Sequence, residues 1–171
     1  KAALMPLHGW LPGAMVAPAP VSAMLHAVAV VKAGVFVILK VSAYIFGPNL
    51  ISALPAATWL LWIAAGTIVV ASVVAMTKDD LKARLAWSTV GQLAYITSAA
   101  MLPAAAGLVA GGLHMLVHAF AKITLFMCAG AIYVATGASK VSEMRGLGRS
   151  MPIVFPCFLV GALCVVGLRP S

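Results

Sequence analysis

Apolar positions fill this chain in five long blocks, at 21–46, 55–77, 85–102, 104–136 and 152–168, separated by short stretches where polar residues gather. Within each block the apolar residues run continuously and do not alternate, which predicts helices and excludes the alternating strands of a membrane barrel. About 20 helical residues cross a 30 Å hydrocarbon core, so the pattern predicts an all-α, polytopic transmembrane helix bundle forming one membrane domain over 1–171. The blocks 21–46 and 104–136 exceed that length and must tilt, kink or project, whereas 152–168 is barely long enough. Ahead of them, residues 1–20 hold four prolines among apolar residues. Such a backbone break is tolerated at membrane depth only where it is buried in protein or lines a wet cavity.

Composition sharpens this picture. With 64% hydrophobic and 8% charged residues over 171 positions, and a mean hydropathy of +1.12, the chain has too few charges to coat a soluble surface. A soluble enzyme, a secreted disulfide scaffold and a disordered tail are excluded. Cys128, Cys157 and Cys164 lie inside apolar blocks without CxxC spacing and read as small buried hydrophobes. The net charge of +8 is a topology signal and implies no nucleic-acid partner, because the basic residues stand singly or in short loops. The loops 78–84 and 139–150 carry three basic residues each, while 47–54 and the junction at Pro103 carry none. Alternating spans put the two basic loops on one side, the cytoplasmic one, and put Trp59 and Trp62 near the opposite interface. The sequence opens on Lys1 and reads as an internal fragment.

Charges inside the apolar blocks carry the chemistry, since each costs about 2.5–3.5 kcal/mol at the bilayer centre on insertion scales. His26 and Lys32 fall in the first block, with Lys32 about 9 Å further along a helix and without an easy route to either interface. Lys40 is near enough to the end to snorkel. His114, His118 and Lys122 recur at i, i+4 and i+8, a stripe that drifts only about 40° per step and places its members about 6 Å apart along the axis. One or two waters bridge such gaps, which is the geometry of a proton wire, and histidine exchanges protons near neutral pH. The blander reading is interhelical hydrogen bonding by the two histidines. A metal site needs acidic ligands, and Asp79, Asp80 and Glu143 all lie in loops. A haem held by His26 with His114 or His118 is the rival reading, which would make the chain a membrane cytochrome. No quinone, flavin or iron–sulfur ligand set is present, so no cofactor is expected.

Four stretches, KAALMPLHGWLPGAMVAPAPVSAMLHAVAVVKAG, KDDLKARLAWSTVGQLAYI, GGLHMLVHAFAKITLFMCAGAIY and MRGLGRSMP, resemble in order the signature of the antiporter-like proton-translocating subunits. That family is shared by respiratory complex I, Mrp-type sodium/proton antiporters and group 4 membrane-bound hydrogenases. The resemblance implies a fold of about fourteen helices with two inverted repeats, of which this chain supplies the central part, with a broken helix near its start. It implies that Lys1 is the pumping lysine, that His26 and Lys32 belong to the central polar axis, and that His114, His118 and Lys122 continue that axis. It also implies partner membrane subunits, protons with or without sodium as cargo, and an energy-transducing membrane such as the bacterial plasma membrane. Gly13 departs from an aspartate of the pattern and Arg169 from a proline pair. The wording of HAFAKITLFMCAGAIY and Lys32 in VVKAG lie nearer the Mrp-type members.

Overall fold

The computed structural model describes residues 1–167. The Pro-rich opening forms turns and two short helical pieces, α1 (Trp10–Gly13) and a 3₁₀ turn at Ala14–Val16. Pro18 then admits α2 (Ala19–Ala23), which runs through a π turn (Met24–Val28) into α3 (Val30–Val41), a second π turn (Ser42–Phe46) and α4 (Gly47–Ala53). Four longer or separate helices follow: α5 (Pro55–Thr77), α6 (Leu81–Ala100), α7 (Ala105–Thr136) and α8 (Val154–Val166). Among the described residues no strand forms, and a single bridge joins Asp80 to Lys140.

Several boundaries differ from the sequence reading for local reasons. The stretch 47–54, expected as a loop, is mostly helix α4, because Gly47 turns the chain at φ +70° and Pro48 starts a new helix directly after it. The loop expected at 78–84 shrinks to three residues. Asp80 accepts from the Ala83 amide at 2.8 Å and so caps α6, which draws Lys82 and Arg84 into its first turn. The span expected at 152–168 narrows to the 13 residues of α8, about 20 Å, and ends at Gly167 with φ +88°. Leu168 and Arg169 lie outside the described residues. Cys157, expected to be buried, is exposed, because α8 packs one face on α7 and turns this residue away; Cys128 is buried as read.

Among the described residues three helical runs are long and apolar enough to cross a membrane, Ala19–Ala53, Pro55–Thr77 and Ala105–Thr136. They surround α6, which packs against α5, α7 and α3 and has more than half of its 20 residues buried. Leu11, Val31, Val35, Leu93 and Ile96 fill one core and Leu81, Leu85, Leu125 and Phe126 another. Small residues set the spacing. A Cβ on Gly111 would stand 3.1 Å from Leu39, and one on Gly161 would stand 3.1 Å from Leu125. Gly34 of α3 admits the opening segment itself: a Cβ there would lie 2.6 Å from the Ala2 amide nitrogen and 2.7 Å from the Lys1 carbonyl carbon. The outward face of α5 is apolar, with Trp59, Trp62, Val69, Val73 and Met76 exposed.

At one end of the bundle the α5–α6 and α7–α8 connections are clasped. Val141 N–H donates to Asp79 O at 2.9 Å, Leu81 N–H to Ser139 O at 3.0 Å, and the Ser142 hydroxyl to Asp79 Oδ2 at 2.7 Å. The Ser142 hydrogen bonds, with Lys140 and Arg84 nearby, hold the Asp79 carboxyl below its usual range.

Candidate functional site

Helix α7 is 32 residues long, about 48 Å, and presents His114, His118 and Lys122 on one stripe as their spacing predicts. The neighbours of that stripe were not readable from spacing alone. Lys32 on α3, 7% exposed, reaches across so that its Nζ hydrogen-bonds His118 Nδ1, and His118 is itself 1% exposed. The half-buried His114 ring stacks parallel to that of His118 at 6.2 Å between centroids and meets Tyr95 of α6 edge-on at 6.2 Å. Lys122 is fully buried and donates to Leu85 O at 2.9 Å and to the Ser88 hydroxyl, both on α6. Four of the six residues singled out in the sequence therefore form one cluster between α3, α6 and α7.

His26 is fully buried at the π turn, with its ring 5.5 Å from Phe126, one turn beyond Lys122 on α7. A π turn adds a residue to the helical repeat and re-aims the side chains around it, so His26 and Lys32 meet α7 at separate levels. From the clasped end the order is His26, then Lys122, then the Lys32–His118 pair, then His114. Lys1 is exposed, and among the described residues no hydrogen bond joins its side chain to the cluster; its backbone is lodged against Gly34, two residues past Lys32. Lys40 is exposed, with its ammonium 5.9 Å from the centre of the Phe36 ring one turn back along α3.

The cluster is rich in donors and poor in counter-charge. The chain has three acidic residues, Asp79, Asp80 and Glu143, all in or beside the clasped loops and away from the stripe. Hydrogen-bonded imidazole and amine can exchange one proton between Lys32 and His118, while the 6.2 Å ring separation of His114 and His118 exceeds a direct bond and fits bridging water. Ser88, Gln92 and Tyr95 are the polar members of α6 that the sequence reading passed over. Their i, i+4, i+7 spacing is a stripe of its own and was the available signal. His8, half-buried with its ring 5.2 Å from Trp87, was missed as well. Among the described residues no group of three His, Cys, Asp or Glu side chains gathers to hold a metal ion.

The whole chain, residues 1–171, matches the family described as NADH:quinone oxidoreductase/Mrp antiporter, TM. Among similar proteins, NAD(P)H-quinone oxidoreductase chain 5 of Picosynechococcus sp. is 36% identical over 180 residues, covering 99% of this chain and 26% of that protein. The F(420)H(2) dehydrogenase subunit L of Methanosarcina mazei is 36% identical over 170 residues, covering 98% and 25%. Of solved structures, the Mrp complex from Dietzia sp. contains a chain that superposes with a TM-score of 0.89 at 27% identity, over 98% of this chain and 31% of that one. The membrane-bound sulfane sulfur reductase, an archaeal respiratory membrane complex, gives 0.84 at 30% identity, over 97% and 34%. The chain thus spans about a quarter of the length of the curated relatives it matches.

Proposed function

The chain belongs to the NADH:quinone oxidoreductase/Mrp antiporter transmembrane family, and on that premise we propose that it is the proton-conducting core of a larger integral membrane subunit. The observation that carries the reading is the Lys122, Lys32–His118 and His114 cluster, buried between α3, α6 and α7 with no carboxylate of its own. Uncompensated bases at membrane depth are expensive, and they persist where they carry ions or protons. In this reading protons pass along His26, Lys122, Lys32, His118 and His114, with Lys1 on the adjoining broken segment, in an Mrp-type or complex I-like assembly, with sodium exchanged against them where that assembly is an antiporter. The relatives are subunits of oxidoreductase and antiporter complexes, which supports translocating partners rather than the cytochrome alternative.

Acidic groups from neighbouring segments and subunits complete the path at its open ends. They meet exposed Lys1 and half-buried His114, since Lys122 is already closed off within this chain. Ala19–Ala53, α5, α6 and α7 cross the membrane, α8 enters it as a short helix, and the clasped basic loops face the cytoplasm of an energy-transducing membrane.

The test is proton uptake by liposomes containing the full-length subunit in its complex. Wild type acidifies or alkalinises the lumen under a driving gradient, and Lys122→Arg assembles but stops the flux, because a guanidinium does not release its proton. No flux from wild type, or parental flux from Lys122→Arg, overturns the reading.

A further inference from the structure

Ser88 and Gln92 are four residues apart and share one face of α6. Helices α6 and α7 run antiparallel, with Lys122 meeting Leu85 and Ser88, and with the His114 ring 6.2 Å from that of Tyr95. Between those two contacts, the residue of that face level with His118 is Gln92. Its amide is divided between two tasks. Nε2 donates to Val165 O of α8 at 3.3 Å, whereas Oε1 is buried with no hydrogen-bond partner among the described residues. Val165 lies in the last turn of α8, where the Gly167 amide takes the Leu163 carbonyl and the final carbonyls lack intrahelical donors. Because a carbonyl oxygen accepts and cannot donate, that bond also fixes which end of the Gln92 amide is nitrogen and which is oxygen.

His118 has the complementary need. Lys32 occupies Nδ1, and Nε2 is buried without a partner among the described residues. With Lys32 as an ammonium donating to Nδ1, the neutral imidazole carries its proton on Nε2, and that N–H requires an acceptor. When Lys32 passes its proton to Nδ1, both ring nitrogens become donors and Nε2 still requires one. We propose that Gln92 is a positioning residue of the proton path: it tethers the end of α8 by its NH₂ and offers its carbonyl oxygen to His118 Nε2–H through one water. His118 is thereby held in a single tautomer, and exchange is confined to the Nδ1 edge facing Lys32. The inference rests on the proton-conducting reading for its purpose, though not for its geometry.

The experiment uses the full-length subunit in its complex, with ¹⁵N-histidine solid-state NMR of His118 beside proton uptake in liposomes. Wild type gives the Nε2–H tautomer. Gln92→Met keeps volume and removes both amide functions; it assembles, lowers uptake about tenfold as expected for a buried N–H left without its acceptor, and gives a mixed or Nδ1–H signal for His118. Gln92→Glu keeps the acceptor oxygen and so retains the Nε2–H signal, which also decides the matter if Gln92→Met does not assemble. An unchanged His118 signal in Gln92→Met, or its loss in Gln92→Glu, overturns the inference. Absence of flux in wild type would defeat the functional reading alone, since the tautomer still reports on Gln92.

Discussion

Replacing Lys122 by Met should stabilise the protein while silencing it, and replacing it by Ala should silence and weaken it. Lys122 is the largest fully buried side chain, and taking an ammonium out of water costs several kcal/mol even after relaxation. Its two hydrogen bonds, to Leu85 O and Ser88, return about 1.5–3 kcal/mol each, and no carboxylate adds to them. Deleting the ammonium also orphans little. Leu85 O still accepts from the Thr89 hydroxyl at 2.8 Å and the Ser88 hydroxyl at 3.0 Å, so neither acceptor nor hydroxyl is left bare. Methionine matches the lysine stem in length and flexibility and fills the same space. We expect Lys122→Met to raise stability by about 1–3 kcal/mol, in line with other replacements of buried charge by apolar groups. Alanine leaves a cavity instead, and should sit about 2–5 kcal/mol below the Met variant. Thermal unfolding of the detergent-solubilised complex, with the two variants and parent measured side by side, gives the order Met, parent, Ala; proton uptake is lost in both variants. A Met variant less stable than the parent would show that a carboxylate from outside this chain reaches Lys122, contrary to its complete burial here.

Two further outcomes follow from local geometry. Gly34→Ala should push the Lys1–Ala2 backbone aside, because the new methyl would stand 2.6 Å from the Ala2 nitrogen, and should cost about 1–3 kcal/mol by overpacking; Gly66→Ala on α5, which meets nothing within 4 Å, should be stabilising, and equal unfolding temperatures for the two would refute the close approach. The Asp79 carboxyl is held below its unfolded value, chiefly by the Ser142 hydroxyl, so the clasp should be fully present above the ordinary carboxylate range, near pH 4, and should be lost as pH falls through the lowered folded value. Hydrogen exchange at the Val141 and Ser142 amides should accelerate in that acid window for the parent and stay flat with pH in Asp79→Asn.

Hydropathy made most of the helices legible because burial in lipid demands a long, predominantly apolar run, a signal spread along the whole length of α5 and α7. It failed where one local interaction outweighed it. The Asp80 cap turned part of an apparent basic loop into the first turn of α6, and the Gly47–Pro48 turn continued as helix where polar punctuation suggested a loop. The stripe His114, His118 and Lys122 was legible because helical spacing is a local property. Its partners were not, since pairing Lys32 with His118 joins positions 86 residues apart and depends on how α3 lies across α7. Ser88 and Gln92 escaped notice for a different reason. Hydroxyl and amide side chains cost little within a span, so they blend into an apolar block, whereas a lysine there stands out by its energy alone.

The clasp between Asp79 and Ser142 also governs where this bundle can yield. With the two connections bonded at that end and the turn at 101–104 joining α6 to α7 at the other, the pair is held at both ends, and any bowing apart is greatest midway along α7. Lys122 lies about 21 Å from the clasped end of α7 and about 26 Å from its other end, and His114 about 33 Å and 14 Å, so Lys122 stands near the middle of the tied span and His114 nearer the turn. The level of Lys122 and the Lys32–His118 pair is thus where α6 and α7 part with the least strain on their joined ends, and a change of access to water is easiest there.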